Sequence, residues 1–155
     1  MADLNYIDGE KRFNFRIAAY VTCKGKVLLA KHDDSTFYNM VGGRIQMGES
    51  SEDAIRREFK EELGIEDFNG KLMFVAENFF DWMDHYVQEL LFIYRVELDD
   101  KYFDRLNHFK ILDSKCEYTY WFDREELKDL VLRPELILRL GDMDDSVHHE
   151  INKKK

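Results

Sequence analysis

Apolar and polar positions along the chain divide it into several strand-like segments and one long helical segment. Residues 14–32 are rich in β-branched and aromatic side chains, and Lys24-Gly25 interrupts them, which predicts two strands joined by a tight turn. Residues 71–80 and 85–98 have the same character and predict two further strands, separated by the loop DWMD. Residues 117–122, EYTYWF, predict another strand.

From Ser50 onward the period changes to that of a helix. The apolar residues of this segment fall four positions apart and form one stripe: Ile55, Phe59 and Leu63. Ser50 and Asp53 form a capping pair at its start, and Gly64 stands where a left-handed residue ends a helix. The pattern therefore predicts one well-delimited helix in the middle of the chain.

The second half of the chain is less regular. Residues 99–114 are polar and mixed, which predicts a loop. Residues 123–130 predict a short helix with a capping box, and Pro134 fits the first turn of a last helix. Residues 142–155 are expected to form a loose tail. The order of strands and helices predicts a single domain over residues 1–155 in the α/β class.

Composition limits the classes of function. The chain has 155 residues, 45% of them hydrophobic, which is enough for one domain with a real core. Its 23 Lys and Arg residues stand against 32 Asp and Glu residues, giving a formal net charge of −9. No stable nucleic acid partner is expected, because this field would repel nucleic acid phosphates. A phosphorylated small molecule could still bind if a divalent cation bridged the two negative partners.

The cysteines and the longest apolar run indicate the cellular compartment. Cys23 and Cys116 lack any metal-like spacing, so reduced thiols and a cytoplasmic location are expected. The run LLFIY is far shorter than the ~20 residues that a membrane-spanning helix needs, so no membrane association is expected. The first residues show no charged-then-apolar signal pattern.

Three carboxylates flank the apolar stripe of the central helix. At about 100° per residue, Glu58 and Glu62 fall along one edge of the stripe, with Glu61 next to them. Like charges at this spacing repel each other by a few tenths of a kcal/mol per pair. A hard cation such as Mg²⁺ would offset that repulsion, because it prefers oxygen ligands. A charged helix face that is merely solvated is the alternative for this short run.

Two neighbouring features favour the metal hypothesis. The Gly42-Gly43 pair lets the backbone come close to the carboxylates, because glycine has no Cβ, and its carbonyls could supply a further oxygen ligand. Arg57 stands four residues before Glu61 and could pair with it, which would fix that carboxylate.

The segment from Gly43 to Ile65 resembles the Nudix box of the MutT-like hydrolases. The family pattern is Gly, five residues, Glu, seven residues, then Arg-Glu-apolar-x-Glu-Glu-x-Gly-apolar. The residues that meet it at the family spacing are Gly43, Glu49, Arg57, Glu58, Phe59, Glu61, Glu62, Gly64 and Ile65. Two departures are Phe59, where relatives usually have an aliphatic residue, and Met40-Val41, where many have Leu-Pro.

The resemblance implies a Nudix-type α/β/α sandwich with a mixed β-sheet. It also implies a hydrolase that cleaves a nucleoside diphosphate linked to another group, X, with Mg²⁺ or Mn²⁺ as cofactor. By position, the metal ligands would be Glu58, Glu61, Glu62 and the carbonyl of Gly42. Arg57 would orient the carboxylates and Glu49 would support them. Water would attack phosphorus, and one carboxylate, with Glu58 favoured, would accept its proton.

Further candidates lie on the predicted strands. Relatives often place an extra acidic residue where Glu77 and Glu89 stand, so each is a candidate base or metal residue. Both can equally be plain outward carboxylates. Residues expected to contact the substrate are Arg16, through a phosphate, and Phe79, Phe80 and Trp82, by stacking on a nucleobase. A surface ion pair for Arg16 and core packing for the aromatic residues are the alternatives.

Two other functions use the same fold. One is a nucleotide sensor that binds without hydrolysis, although such a module tends to lose carboxylates and this chain keeps them all. The other is isomerase-like chemistry on an isoprenoid diphosphate, which needs a reactive cysteine in a setting that neither Cys23 nor Cys116 shows. A small nucleotide-like diphosphate is the expected substrate, and its identity is open because specificity comes from loops outside the box. A homodimer is common among such folds, by analogy alone.

Overall fold

The structure, a computed structural model, describes residues 2–153, in which nine strands pair into one mixed sheet. The strands are β1 (Asn5–Asp8), β2 (Lys11–Cys23), β3 (Lys26–His32), β4 (Val41–Arg44), β5 (Gly70–Trp82), β6 (His85–Glu97), β7 (Phe109–Lys110), β8 (Glu117–Asp123) and β9 (His148–Lys153). The helices are α1 (Ser51–Leu63) and α2 (Ile137–Leu140), with 3₁₀ turns at Asp100–Tyr102 and Arg124–Asp129.

Strand β2 lies at the centre of the sheet and pairs with four other strands. The strand order is β7-β8-β3-β2-β6-β5-β9, and β1 and β4 also pair with β2. Strand β2 is long enough to pair with β1, β4 and β3 in succession along one edge and with β6 along the other. The β2–β6 and β5–β9 pairs are parallel and the remaining pairs are antiparallel, so the predicted mixed α/β fold is confirmed.

Each face of the sheet carries its own apolar core. On one face, α1 packs Ile55, Phe59 and Leu63 against the sheet, and each of these side chains is at most 1% exposed. On the other face, α2 and its neighbouring turns cover Tyr20, Phe74 and other buried residues of β2, β3, β5 and β6. The helices therefore lie on both faces of the sheet, in agreement with the sandwich that the sequence predicts.

The predicted strands and the caps of α1 agree with the structure, whereas Pro134 lies before the last helix, which begins at Ile137, and not in its first turn. The turn between β2 and β3 falls at Lys24 and Gly25, which both have positive φ, at 51° and 76°. The predicted helix after Asp123 is a 3₁₀ turn, and the Asp123 amide donates to Glu126 Oε1 at 2.8 Å. The predicted loop 99–114 also contains the short strand β7, which pairs with β8.

The prediction of a loose tail over residues 142–155 is wrong for His148–Lys153. These residues form β9, which pairs in parallel with Phe74–Phe79 of β5. Backbone pairing and side-chain bonds hold the strand, including Arg139 to Glu150 at 3.0 Å and Asn152 to Asn78 at 3.0 Å. The segment HHEINK has one apolar residue, so hydropathy gave no strand signal. Lys154 and Lys155 lie outside the described residues.

Neither helix within residues 2–153 combines the length and the apolar character that crossing a bilayer requires.

Candidate active site

Helix α1 holds the box carboxylates in a fixed orientation. Ser50 Oγ accepts a hydrogen bond from the Asp53 amide at 3.1 Å, as the capping pattern predicts. At the other end Gly64 has a φ of 68°, and its amide donates to the Lys60 carbonyl. Because both ends are capped and one face is buried, the glutamates at the edge of that face cannot rotate away from the sheet.

Arg57 is the centre of an ion-pair network. Its Nε donates to Glu49 Oε2 at 2.7 Å and its Nη2 donates to Glu49 Oε1 at 3.0 Å. Its Nη1 donates to Glu58 at 2.8 Å and to Glu61 at 3.2 Å, and its Nη2 also donates to the Arg44 carbonyl at 3.0 Å. The Glu49 and Glu58 carboxylates hold the pKa of Arg57 above its ordinary value and bonding to Arg57 holds the pKa of Glu49 below its ordinary value.

Glu62 is the most buried of the box carboxylates. Its side chain is 7% exposed, and its Oε1 accepts a hydrogen bond from the Gly42 amide at 3.0 Å. Burial, reinforced by the negative charges of Glu58, Asp113 and Glu117, raises the pKa of Glu62 to about 9. Burial also raises the pKa of Glu58. Buried carboxylates in this arrangement call for a compensating positive charge.

Gly43 of β4 lies directly against the Glu58 carboxylate of α1. A Cβ at this residue would lie 2.4 Å from Glu58 Oε1, so only glycine leaves room for the carboxylate. Its neighbour Gly42 contacts Glu62 through its amide, and the metal-ligand role predicted for the Gly42 carbonyl stays a prediction.

A further carboxylate, Asp113, joins the site from the segment between β7 and β8. One carboxylate oxygen of Asp113, one of Glu58 and one of Glu61 lie within 4.8 Å of one another. Glu117, at the start of β8, also faces this group and contributes to the shifted pKa of Glu62. Sequence patterns missed both residues because no periodic signal marks the segment that carries Asp113, and Glu117 reads as an ordinary first residue of a strand.

A cavity of about 720 Å³ opens on the other face of the sheet, beside Gly42. Gly42 lines this cavity and also contacts Glu62, so it connects the cavity with the carboxylates on the α1 side. The four residues expected to contact the substrate all line it: Arg16, Phe79, Phe80 and Trp82. The segment between β3 and β4 adds Phe37, whose ring lies 4.6 Å from the Arg133 guanidinium.

Two arginines stand opposite each other beside Gly42. Arg16 on β2 and Arg44 on β4 are direct cross-strand partners, so their side chains share the cavity face of the sheet. Burial, together with the charges of Arg12 and Arg16, lowers the pKa of Arg44. The Nε of Arg44 is buried without a hydrogen-bond partner within residues 2–153. Asp3, with Oδ2 at 3.9 Å from Arg44 Nη1, offsets part of this like charge, and a bound anion would offset more of it.

A family model for the NUDIX domain matches residues 12–140. The chain belongs to the NUDIX family. No curated protein sequence matched the chain.

Solved structures share the Nudix fold at low sequence identity. The Mutator MutT protein from Bacillus halodurans is 18% identical, with 90% of each chain covered and a TM-score of 0.69. The MutT NUDIX hydrolase from Burkholderia pseudomallei is 18% identical, with 83% of this chain and 97% of that chain covered and a TM-score of 0.61. An ADP-ribose pyrophosphatase from Streptococcus suis is 16% identical, with 88% and 98% covered and a TM-score of 0.57.

The Nudix box residues converge, whereas the two strand carboxylates lie elsewhere. Glu89 lines the cavity and accepts a hydrogen bond from Asn78 Nδ2 at 3.1 Å, away from the group formed by Glu58, Glu61 and Asp113. Glu77 pairs with His149 of β9 and does not line the cavity.

Proposed function

We propose that this Nudix protein is a pyrophosphohydrolase that depends on Mg²⁺ or Mn²⁺ and cleaves a small nucleoside diphosphate derivative by attack of water on phosphorus. The observation that carries the proposal is the convergence of Glu58, Glu61 and Asp113 on one point. Gly42 joins this point, through Glu62, to a cavity of about 720 Å³, which is large enough for a nucleotide-sized ligand.

The residues present fit a hard divalent cation. All of the converging donors are carboxylate oxygens, which Mg²⁺ and Mn²⁺ prefer. The space that Gly43 leaves by lacking a Cβ is occupied by the Glu58 carboxylate, so the backbone itself is shaped around this donor. Arg57 offsets part of the charge on Glu58, whereas Glu62 forms no ion pair within residues 2–153, so a divalent cation would supply the positive charge that Glu62 lacks. Glu58, Glu61, Glu62 and Asp113 would hold the ion.

A divalent cation held here would supply positive charge against the negative charge that develops on the phosphoryl oxygens. The chain's own residues supply the rest. Arg57 fixes Glu58 and Glu61 through hydrogen bonds of 2.8 and 3.2 Å, which keeps their oxygens aimed at one point. Glu58 is our candidate for the base that accepts the water's proton, because burial raises its pKa and so improves it as an acceptor. Arg16 and Arg44 face the cavity side of Gly42, where the diphosphate would pass.

The test is a release assay across nucleoside triphosphates, ADP-ribose, sugar nucleotides and dinucleoside polyphosphates, with Mg²⁺ and then with EDTA. We expect metal-dependent cleavage of one class well above the others. Glu61→Gln and Glu62→Gln should each lower turnover at least about a hundredfold, since they remove charge from the proposed metal ligands. The matched control is Glu66→Gln, an exposed glutamate that pairs with Lys60 and should leave turnover unchanged. Full turnover in both site variants would refute the metal assignment.

A further inference from the structure

A row of polar side chains crosses four neighbouring strands at the floor of the cavity. Asn14 of β2 is the cross-strand partner of Glu89 on β6, Glu89 is the partner of Asn78 on β5, and Asn78 is the partner of Asn152 on β9. Partners in register point to the same face of a sheet, and Glu89, Asn78 and Asn152 all line the cavity. Two residues further along the strands, the same face carries Leu91 and Ala76, which are buried apolar core.

Hydrogen bonds run along this row in one direction. Asn152 Nδ2 donates to Asn78 Oδ1 at 3.0 Å, and Asn78 Nδ2 donates to Glu89 Oε1 at 3.1 Å. Each amide therefore uses its oxygen to accept from one neighbour and its nitrogen to donate to the next. The chain of donors ends at Glu89, which is an acceptor only when ionised.

At the Glu89 end of the row, two side-chain oxygens have no hydrogen-bond donor within residues 2–153. Within residues 2–153, Glu89 Oε2 accepts no hydrogen bond and forms no ion pair, although Arg44 is near enough to interact with it electrostatically. The neighbouring Asn14 is 8% exposed, and its Oδ1 is buried with no partner in the same part of the chain. Two oxygens on neighbouring strands thus lack N–H partners: Asn14 Oδ1, which is buried, and Glu89 Oε2, whose residue lines the cavity. A ligand that brings N–H donors into the cavity can satisfy the free oxygen of Glu89.

The walls of the cavity fit a flat ring. Phe80 and Trp82 continue β5 beyond Asn78 and line the cavity, and Phe37 enters from the segment between β3 and β4. Aromatic side chains of this kind stack on planar groups. A flat ligand with N–H donors on one edge would meet the aromatic residues with its face and Glu89 with that edge.

We propose that the row Asn14–Glu89–Asn78–Asn152 recognises the nucleobase of the substrate and selects a guanine-type edge. This proposal rests on the proposed nucleotide substrate. Guanine presents a ring N–H beside an exocyclic amino group, and both are donors that a carboxylate can accept together. Adenine presents one amino donor next to a ring nitrogen acceptor, which would repel the carboxylate. Hypoxanthine keeps the ring N–H and lacks the amino group. The predicted order of affinity is guanine, then hypoxanthine, then adenine.

The test measures binding of GDP, IDP and ADP by titration calorimetry in EDTA, so that hydrolysis cannot contribute. The wild-type protein should bind GDP at least about tenfold more tightly than ADP, with IDP between them. Glu89→Gln, which keeps the shape and replaces one acceptor by a donor, should weaken GDP binding about tenfold and remove the preference. Glu97→Gln, the same change at the exposed far end of β6, should leave all three affinities unchanged.

The outcomes separate this inference from the proposed function. Equal affinities for the three ligands, no binding of any of them, or a preference that survives Glu89→Gln would overturn the base-recognition row. Selective GDP binding without Mg²⁺-dependent cleavage of any diphosphate would support the row and refute the hydrolytic proposal. Asn14→Ala adds a second readout: it should lower GDP affinity without lowering the thermal midpoint, because it removes an unpaired buried oxygen. A lower midpoint with unchanged GDP affinity would mean that Asn14 is structural.

Discussion

Arg57 binds both carboxylate oxygens of Glu49, through Nε at 2.7 Å and Nη2 at 3.0 Å. The pair ties the loop after β4 to the middle of α1, and both side chains are mostly buried, with 22% and 12% of their area exposed. Since Arg57 also bonds Glu58 and Glu61, the loop and the proposed metal ligands share one anchor. The geometry of the site therefore depends on a residue that need not touch the metal.

Arg57→Lys tests this anchor. Lysine keeps the charge but cannot bind Glu49 through two parallel N–H groups, so we expect turnover to fall at least about tenfold. The free energy of unfolding in urea should fall by roughly 1.5–3 kcal/mol, the range for hydrogen bonds to charged groups. Arg56→Lys is the matched control for turnover, because Arg56 binds Glu52 and the Phe68 carbonyl, neither of which belongs to the proposed site. Equal losses in the two variants would contradict the role given to Arg57.

Glu62 makes the stability of the metal-free protein depend on pH. Its pKa is raised from an ordinary value of 4.5 to about 9, so between these values the folded state keeps a proton that the unfolded state has released. The stabilising contribution is complete below about pH 4.5 and is lost as the pH rises toward 9. Denaturant unfolding in EDTA should show this loss, with a slope of at most about 1.4 kcal/mol per pH unit from this group.

Glu62→Gln is the matching variant. Glutamine keeps an oxygen that can accept from the Gly42 amide but cannot ionise, so the loss of stability at high pH should shrink. At pH 8 in EDTA the variant should be more stable than the wild-type protein while being inactive with Mg²⁺. A wild-type stability curve that stays flat from pH 5 to 8 would show that the Glu62 pKa is not raised.

Gly43→Ala tests the close approach of β4 and α1. The added Cβ would lie 2.4 Å from Glu58 Oε1, so the carboxylate must move. We expect Mn²⁺ affinity, measured by electron paramagnetic resonance, and turnover both to fall at least about tenfold. Gly141→Ala is the control: the three atoms nearest to its added Cβ belong to the Arg124 side chain, which is not part of the proposed site, and φ there is an ordinary −65°. Unchanged Mn²⁺ affinity in Gly43→Ala would argue against Glu58 as a ligand.

Asp113→Asn tests the carboxylate that the sequence did not reveal. If Asp113 contributes to the cation site, replacing its charge should weaken Mn²⁺ binding by about tenfold while secondary structure stays intact. Asp104→Asn changes an exposed aspartate in the same irregular region and should bind Mn²⁺ like the wild-type protein. Equal Mn²⁺ affinity in the two variants would remove Asp113 from the proposed ligand set.

Local patterns in the sequence predicted α1 and the carboxylates on it, because caps and helical periodicity act within a few residues. Ser50, Gly64 and the stripe of Ile55, Phe59 and Leu63 each do in the structure what their spacing indicates. Helical spacing also predicted that Arg57 pairs with Glu61, four residues away, and the structure contains this pair.

Contacts between distant strands were beyond such reasoning. Asp113 reaches Glu58 and Glu61 only through the packing of an irregular segment on α1. Strand β9 is mostly polar, so its place in the sheet comes from pairing with β5 rather than from hydropathy. Glu89 alternated with apolar neighbours as expected, but which residues it meets depends on the register of β6 with β2 and β5.

The parallel pairing of β2 with β6 also determines when, during folding, the cation site can form. Strands β2 and β6 can pair only after the chain between them, which includes α1, has folded back across the sheet. Pairing between segments so far apart in sequence is slow. Gly42 and Glu62 lie within that closing loop, and Asp113 arrives from beyond it. Helix α1 can form early from local contacts, whereas a complete cation site requires the closed sheet. In a refolding experiment, Mn²⁺ capture should therefore lag behind the recovery of helical circular dichroism and report the final assembly of the domain.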